Sequence, residues 1–389
     1  MSEIFTETMI EEILLDGKLK ERIIKEELSK QIVGEEKSID TILTCCIGSK
    51  VANAQLTSFN LLVNDESGTG KDWIVNHVLK IFPEEMREHK TRITPTALAY
   101  YHNAHQEPEW TWNGKMFYLE DPSNAILNSD VLKLMASSGS DALITTKPGV
   151  VVRYRINGKP VIITTMARSN PSEETARRFN ILNLDSGINQ TEAIMDKQIE
   201  VAKTGKSLEY DTLITECLMQ LKRMPVLLPF LDNKKVKSTI PKTLIMRTQL
   251  NRFLDYVKAQ TVLMQKQREI WNSCLDGSGT EYLLGIKDDW NLAIDPFMKT
   301  VTNPQFISLV KNDQKLLDIV ENMGDQFNYV GDIAEKCTFY SERWIYGRLQ
   351  WMADKGFLEQ TKLEKLGSDK KVFAYRFIKK SKISIKRWE

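Results

Sequence analysis

The segment from Asp65 to Asp72 contains the residue types of a phosphate-binding loop. It follows the apolar run 59–63 and precedes a run of apolar residues at helical spacing. Glycines let backbone N–H groups approach a phosphate closely, and the following helix presents its positive dipole end to the same anion. Lys71 would reach the terminal phosphates. The residues expected to bind ATP in this way are Asp65, Glu66, Ser67, Gly68, Thr69, Gly70, Lys71 and Asp72.

Two positions depart from the template G-x-x-x-x-G-K-[ST] of such loops. Asp65 stands where the first glycine is usual, and Asp72 replaces the hydroxyl residue that holds Mg²⁺. A carboxylate oxygen is also a suitable ligand for this hard cation. We therefore expect ATP and Mg²⁺ as cofactors, with Asp72 as a metal ligand. The alternative is a glycine-containing turn at a helix start that binds no nucleotide.

A second apolar run, 116–119, ends in Glu120 and Asp121. Hydrolysis of a nucleotide needs a carboxylate that holds Mg²⁺ and a group that positions the attacking water. We assign the metal-side role to Glu120 and the activation of water to Asp121, although the usual order of the two residue types is reversed. The alternative is a solvated acidic turn before Pro122.

The composition is that of an ordinary globular chain, with 389 residues of which 42% are hydrophobic and 27% charged. The net charge of +1 excludes a generally basic nucleic-acid binder but leaves room for local basic patches. No run approaches the roughly 20 consecutive apolar residues that span a membrane. The five cysteines form no C-x-x-C pair, so we expect neither structural zinc nor disulfides. A cytoplasmic location without a membrane partner fits these features.

Apolar runs that alternate with helical periods predict a parallel sheet in an α/β domain. The runs 150–154 and 161–165 flank Asn157-Gly158 and are predicted to pair as a hairpin, since Asn-Gly favours a two-residue turn. The pattern becomes helical from Asp185 onward. The predicted domains are an N-terminal helical segment (1–56), an α/β core (57–186), a helical lid (187–275), a connector (276–310) and a winged helix with a basic tail (311–389).

The pattern of residues 312–380 predicts three helices followed by two strands, the order of a winged helix. Its third helix would enter the major groove of DNA. Arg343 and Arg348, on the outward face of that helix, are therefore candidate DNA contacts. The alternative is that this domain binds a protein and that its basic tail is merely solvated.

Several segments resemble those of AAA+ ATPases. Ser67-Gly68-Thr69-Gly70-Lys71 resembles the loop of bacterial enhancer-binding activators, but the rest of the chain is more similar to the minichromosome-maintenance helicases. The resemblance covers roughly residues 25–270. The further segments that carry it are Ile32-Val33-Gly34-Glu35, Thr146-Lys147-Pro148-Gly149-Val150, Ser169-Asn170-Pro171, Arg178-Phe179-Asn180-Ile181-Leu182 and Met246-Arg247-Thr248-Gln249-Leu250.

The resemblance implies roles for individual residues. Ile32 and Val33 would contact adenine, and Arg178 would reach the γ-phosphate of a neighbouring subunit. Asn170 and Arg247 would be the two sensors, with Thr165 a rival to Asn170 for orienting the attacking water. Lys147, on the family's hairpin before the first sensor, would contact DNA together with Arg153 and Arg155. The alternatives are ordinary surface arginines and a hairpin edge protected by charge.

The implied protein is an ATPase with an AAA+ core, a helical lid and a C-terminal winged helix. It would act as a hexameric ring that unwinds or translocates DNA, with a primase or another replication protein as a partner. The chain lacks both the activators' Gly-Ala-Phe-Thr-Gly-Ala loop and the large amino-terminal domain of cellular helicases, so we expect a virus or mobile element as its origin. The alternatives are an ATP-dependent regulator or loader that remodels a protein, and a degenerate subunit that only binds nucleotide.

Overall fold

The computed structural model describes sixteen stretches of the chain, which form two compact units. The larger unit contains the described residues up to 301 together with 385–388, and the smaller contains 311–377. The described stretches are 7–104, 110–137, 141–147, 150–167, 178–185, 187–205, 210, 212–240, 246–273, 279–301, 311–324, 326–337, 340–354, 358–364, 371–377 and 385–388.

The described part of the larger unit combines helices with three sheets, which have five, three and two strands. Its described α-helices are α1 (Glu7–Leu15), α2 (Leu19–Glu21), α3 (Glu36–Gly48), α4 (Lys71–Lys80), α5 (Pro95–Ala104), α6 (Asn124–Leu127), α7 (Asp130–Met135), α8 (Ile188–Thr204), α9 (Thr212–Met219), α10 (Asn233–Thr239), α11 (Met246–Leu263) and α12 (Lys287–Val301). Its described strands are β1 (Leu61–Asp65), β2 (Arg87–Lys90), β3 (Met116–Leu119), β4 (Asp141–Lys147), β5 (Val150–Arg155), β6 (Val161–Ala167), β7 (Asn180–Leu182), β8 (Val226–Leu227), β9 (Ile270–Asn272) and β10 (Glu281–Leu284).

Five parallel strands form the central sheet in the order β2-β3-β6-β1-β7. Leu61, at the start of β1, pairs with Ile163 of β6 and Asn180 of β7. Every residue of β1 is buried, as expected for a strand inside a parallel sheet. The predicted α/β fold with a parallel sheet is confirmed. The carboxyl end of β1, where the phosphate loop begins, lies between β6 and β7.

The hairpin predicted between 150–154 and 161–165 is wrong. β5 pairs antiparallel with β4, whereas β6 runs parallel between β1 and β3. Since both edges of β6 are occupied, β6 offers no edge to β5. The Asn157-Gly158 turn is present, with Gly158 at a φ of +73°, but it joins two different sheets.

The range expected to be a connector, 276–310, contains β10 and the fifteen-residue helix α12. Pro296 lies inside α12, where a proline removes a backbone hydrogen bond. Trp290 and Phe297 of the same helix pack against Phe253 of α11, with ring centroids 4.6 and 5.1 Å apart. Burial of these aromatic rings stabilises the helix against the effect of the proline.

Residues 385–388, expected to belong to a basic tail, are held against α12 in the larger unit. The backbone N–H of Trp388 donates to Asn291 Oδ1 (2.7 Å), and Asn291 Nδ2 donates to the Trp388 carbonyl (3.1 Å). The Trp388 ring is 4% exposed and lies 4.8 Å from the Trp290 ring. None of the described helices is both long and apolar enough to cross a membrane.

The smaller unit has the predicted order of three helices followed by two strands, with one additional two-residue strand. Its elements are α13 (Lys311–Asn322), β11 (Asn328–Tyr329), α14 (Val330–Lys336), α15 (Glu342–Asp354), β12 (Leu358–Glu364) and β13 (Lys371–Phe377). The strands form an antiparallel sheet in the order β11-β13-β12. Leu316, Leu317, Ile345 and Leu349 lie in its buried core, as their helical spacing predicts.

Candidate phosphate-binding site

The phosphate loop connects the end of β1 to the start of α4. Gly68 and Gly70 have φ angles of +90° and +82°, in the left-handed region that favours glycine. No atom lies within 4 Å of a Cβ built on either glycine, so the space beside the loop is open. Gly70 is the N-cap of α4, and because glycine has no side chain it does not cap the first N–H groups of the helix. The loop and the first turn of α4 therefore leave N–H groups for an anion.

Lys71 lies beneath this loop. Lys71 is only 6% exposed, and its Nζ donates to the Glu66 carbonyl at 3.5 Å. The Thr69 hydroxyl donates to the same carbonyl at 3.0 Å. Within the described part of the chain, Lys71 forms no ion pair. Burying an ammonium group without a counter-charge costs free energy, which an anion bound above the loop would offset.

Asp65 has a structural part in the loop. Its Oδ1 accepts from the Glu66 N–H (2.7 Å), and its Oδ2 accepts from the Leu184 N–H (3.1 Å). The residue is 8% exposed. The carboxylate thus ties the start of the loop to the segment after β7. Its role in contacting ATP stays a prediction.

Asp72 meets a side chain from the central sheet. The Tyr118 hydroxyl of β3 donates to Asp72 Oδ1 at 3.1 Å and lies 3.5 Å from Thr165 Oγ1 of β6. Thr165 Oγ1 in turn accepts from the Asp121 N–H at 3.2 Å. Burial chiefly raises the pKa of the Tyr118 phenol, the hydrogen bond from Thr165 lowers it, and the charges of Asp72 and Glu120 raise it further. Tyr118 therefore stays protonated and donates.

Glu120 and Asp121 follow the carboxyl end of β3, at the end of the sheet where the phosphate loop also begins. Glu120 Oε2 lies 2.9 Å from His89 Nε2, and the His89 ring stacks on the Tyr118 ring with centroids 4.6 Å apart. Asp121 is exposed and has a φ of +41°, a conformation that aspartate tolerates better than most residues. The structure thus places the Asp72 carboxylate and the Asp121 backbone N–H beside Tyr118 and Thr165, while the Glu120 carboxylate contacts His89.

The donor atoms of this site suit Mg²⁺, which prefers carboxylate, phosphate and water oxygens. Mg²⁺ usually takes only one or two protein carboxylates and completes its octahedron with phosphates and water. No group of three or more metal-ligating side chains occurs among the residues that the structure describes. A cation bound by Asp72 and Glu120 would therefore need nucleotide oxygens as well.

The segment expected to contact adenine lies beside α4. Trp73, the residue after Asp72, donates from Nε1 to the Gln31 carbonyl at 3.1 Å. Gln190 Nε2 donates to the Val33 carbonyl at 2.5 Å, which holds this segment against the start of α8. Ile32 is buried and Val33 is half-buried. Their contact with a base stays a prediction.

Arg178 lies at the amino end of the central strands, opposite the end at which the phosphate loop begins. It precedes β7, and its carbonyl accepts from Asn60 Nδ2 at 3.2 Å, just before β1 begins. The phosphate loop follows the opposite ends of the parallel strands. The Arg178 backbone is thus remote from the phosphate loop of its own chain.

The remaining predicted residues lie on α11, on β4 and β5, or outside the described residues. Asn170 lies outside the described residues. Arg247 is the second residue of α11, Lys147 ends β4, and Arg153 and Arg155 lie on β5, opposite Leu143 and Asp141. Their roles stay predictions.

The two arginines predicted on the third helix of the smaller unit differ in their surroundings. Arg348 donates from Nε to Asp313 Oδ1 at 2.8 Å and from a terminal nitrogen to Asp313 Oδ2, while its guanidinium stacks over Trp351. Arg343 is exposed and lines a cavity of about 560 Å³ together with Tyr346, Lys371 and Glu342. Arg343 is therefore the better placed of the two for a ligand.

Sequence reasoning missed Tyr118 and His89 as members of the site. Tyr118 lies within an apolar run, whose pattern indicates only burial. His89 lies on β2, which comprises Arg87-Glu88-His89-Lys90 and offers no apolar signal of a strand. Thr165 is the rival to Asn170 for orienting the attacking water, and the structure places its hydroxyl between Tyr118 and Asp121.

A family model described as the MTBMA_p00010 P-loop domain matches residues 4–218 of the chain, more than half of its length. The matched range includes the phosphate loop, Glu120-Asp121 and all five strands of the central sheet. A comparison with curated proteins found no match.

Proposed function

Since the chain belongs to the MTBMA_p00010 P-loop domain family, we propose that it is an ATPase that assembles as a ring and acts on DNA. One observation carries the proposal. Lys71 is buried beneath an open glycine loop, and Asp72 and Glu120, the carboxylates that would serve Mg²⁺, lie beyond the carboxyl ends of β1 and β3. This arrangement provides positive charge for phosphates and oxygen ligands for the cation.

Each residue of the site has a distinct part in ATP hydrolysis. The loop N–H groups and Lys71 bind the phosphates, and Asp72 and Glu120 hold Mg²⁺. When bound, Mg²⁺ neutralises charge on the phosphate oxygens. Asp121 orients the attacking water. The buried Asp65 carboxylate keeps the loop in place through the Glu66 and Leu184 N–H groups.

The location of Arg178 supports a ring. An arginine that stabilises transferred phosphate must approach the γ-phosphate. Arg178 lies at the amino end of β7, remote from its own loop. A neighbouring subunit would therefore receive this arginine, as the AAA+ resemblance implies.

The surface of α8 also supports assembly. This helix is described throughout and has no buried residue. Ile188, Met195 and Ile199 are 76%, 54% and 48% exposed and lie on one face, at spacings of seven and four. A helix gains most of its stability by packing such a face. A second copy of the chain is the partner that a site completed in trans requires.

The proposal of DNA as the substrate rests on the smaller unit. Arg343, Lys371 and the partly exposed ring of Tyr346 line one cavity together with Glu342, so two cations and an aromatic ring are adjacent there. Such a surface suits a phosphate backbone and a base. With the AAA+ resemblance, this supports a winged helix on a replicative helicase or translocase of a virus or mobile element.

ATP turnover measured with and without DNA tests the proposal. We expect hydrolysis that single- or double-stranded DNA stimulates and that Lys71→Ala abolishes. Unwinding of a forked duplex with ATP would support the helicase. Sequence-specific duplex binding without unwinding would instead favour a regulator or loader. A wild-type protein that binds no nucleotide would refute the proposal.

A further inference from the structure

Tyr118 holds one of the two oxygens of the Asp72 carboxylate. The phenol is 1% exposed and donates to Asp72 Oδ1 at 3.1 Å. Its ring is fixed within β3 and stacks on His89 with centroids 4.6 Å apart. The hydroxyl also lies 3.5 Å from Thr165 Oγ1, so its position is defined from two sides. The donor is therefore held in a fixed place relative to α4.

The common residue at the position of Asp72 is serine or threonine, which offers a cation one oxygen. A carboxylate offers two. Ca²⁺ accepts carboxylates with either one or both oxygens, in a flexible shell of six to eight ligands. Mg²⁺ requires a near-ideal octahedron. An unrestrained aspartate at this position would thus accommodate Ca²⁺ better than a hydroxyl does.

We propose that Tyr118 determines the cation specificity of the site by donating to Asp72 Oδ1, which weakens this oxygen as a ligand and favours binding of a divalent cation through Oδ2. The phenol thereby disfavours coordination by both oxygens and makes the carboxylate act more like the usual single oxygen. Tyr118 is a positioning residue, because it acts on the cation only through Asp72. The inference rests on the proposed nucleotide-binding function.

The test is equilibrium binding of a fluorescent ATP analogue, titrated separately with Mg²⁺ and Ca²⁺. The readout is the ratio of the two half-saturating cation concentrations. Wild-type protein is expected to prefer Mg²⁺. Tyr118→Phe removes the hydroxyl alone, and we expect it to shift the ratio toward Ca²⁺ by about tenfold, the scale of a hydrogen bond to a charged group. Tyr101→Phe is the matched control, since the Tyr101 hydroxyl donates to Glu88 at 2.6 Å, away from Asp72.

Two further variants separate positioning from a general structural effect. In an Asp72→Thr background only one oxygen remains, so adding Tyr118→Phe should leave the ratio unchanged. Asp72→Glu displaces the carboxylate from the phenol while Tyr118 stays intact, and should shift the ratio toward Ca²⁺ even if Tyr118→Phe folds poorly.

The outcomes are distinguishable. Nucleotide binding by Tyr118→Phe and Asp72→Glu with the wild-type ratio would overturn this inference and leave the proposed function standing. A tenfold shift in the Asp72→Thr background would also overturn it, because the effect would then not pass through the carboxylate. Wild-type protein that binds the analogue with neither cation would overturn both.

Discussion

Arg178 and Lys71 lie at opposite ends of two adjacent parallel strands, Arg178 before β7 and Lys71 after β1. The Arg178 carbonyl accepts from Asn60 Nδ2 at 3.2 Å, where β1 begins, whereas Lys71 follows the loop at the end of β1. β1 and β7 are adjacent and parallel. One subunit would therefore present a phosphate loop at the carboxyl end of its central strands and an arginine at their amino end. A ring with shared sites requires such an arrangement.

Arg178→Ala should separate nucleotide binding from hydrolysis. We expect the variant to bind an ATP analogue like the wild type, because its own loop is intact, and to lose hydrolysis by about 10³-fold or more. Binding titrations and phosphate release measure the two effects. Arg177→Ala, adjacent in sequence, is the control. Normal turnover by Arg178→Ala would exclude the proposed role.

Asp65→Gly restores the glycine of the common loop template and yet should destabilise the protein. The substitution leaves the N–H groups of Glu66 and Leu184 without their buried acceptor. We expect the free energy of unfolding to fall by about 1–3 kcal/mol. Urea denaturation measures this, with Ser67→Ala in the exposed part of the loop as the control. Unchanged stability would show that these two hydrogen bonds contribute little.

Met195→Glu and Ile199→Glu place charges on the exposed apolar face of α8. If a second copy covers this face, burying either charge opposes association. We expect a lower oligomeric mass in light scattering and a loss of ATP turnover at protein concentrations where the wild type is assembled. Asp196→Ala changes an exposed polar position of the same helix and should have no such effect. An unchanged mass for both glutamate variants would argue against this interface.

Trp388→Ala should destabilise the larger unit. The ring is buried beside Trp290 and Phe230, at centroid distances of 4.8 and 5.3 Å. Removing a buried tryptophan typically costs about 3–5 kcal/mol. Chemical denaturation measures the loss, and Arg387→Ala, at an exposed position one residue earlier, should cost little. Equal stabilities of the two variants would contradict the packing described for residues 385–388.

His77 should make stability depend on pH. Burial, followed by the charge of Lys80, lowers its pKa from 6.5 to about 4. Between these two pH values the unfolded chain binds more protons at His77 than the folded protein does. The contribution of neutral His77 to the free energy of unfolding is therefore fully present above about pH 6.5 and is lost as the pH decreases toward about 4. His77 Nδ1 lies 2.5 Å from the Tyr210 hydroxyl. In His77→Asn an amide oxygen takes the place of Nδ1, and denaturation across this pH range should show a smaller slope. The same slope in both proteins would assign the effect to other groups.

The phosphate loop could be predicted because its signals are local. An apolar run, glycines at positions that require positive φ, and a lysine at a helix start lie within about a dozen residues. Other parts of the site depend on distant contacts. The Tyr118 hydroxyl bonds to Asp72, 46 residues away, and β2 contains no apolar residue and owes its strand conformation to pairing with β3.

The wrong hairpin has the same cause. Asn157-Gly158 is a strong local turn signal, but pairing of β6 with β1 and β3 decides which strand β5 can join. The position of Arg178 relative to Lys71 also follows from the parallel pairing of β7 with β1, which no local pattern specifies.

The most direct test of the central claim is ATP turnover by a mixture of Lys71→Ala and Arg178→Ala subunits. Each variant alone should be inactive, the first for lack of phosphate binding and the second for lack of the arginine. In a mixed ring, the intact loop of an Arg178→Ala subunit can face the intact arginine of a Lys71→Ala neighbour. We predict that mixing restores hydrolysis. A mixture that assembles and binds nucleotide but stays inactive would contradict a site completed by the neighbouring subunit.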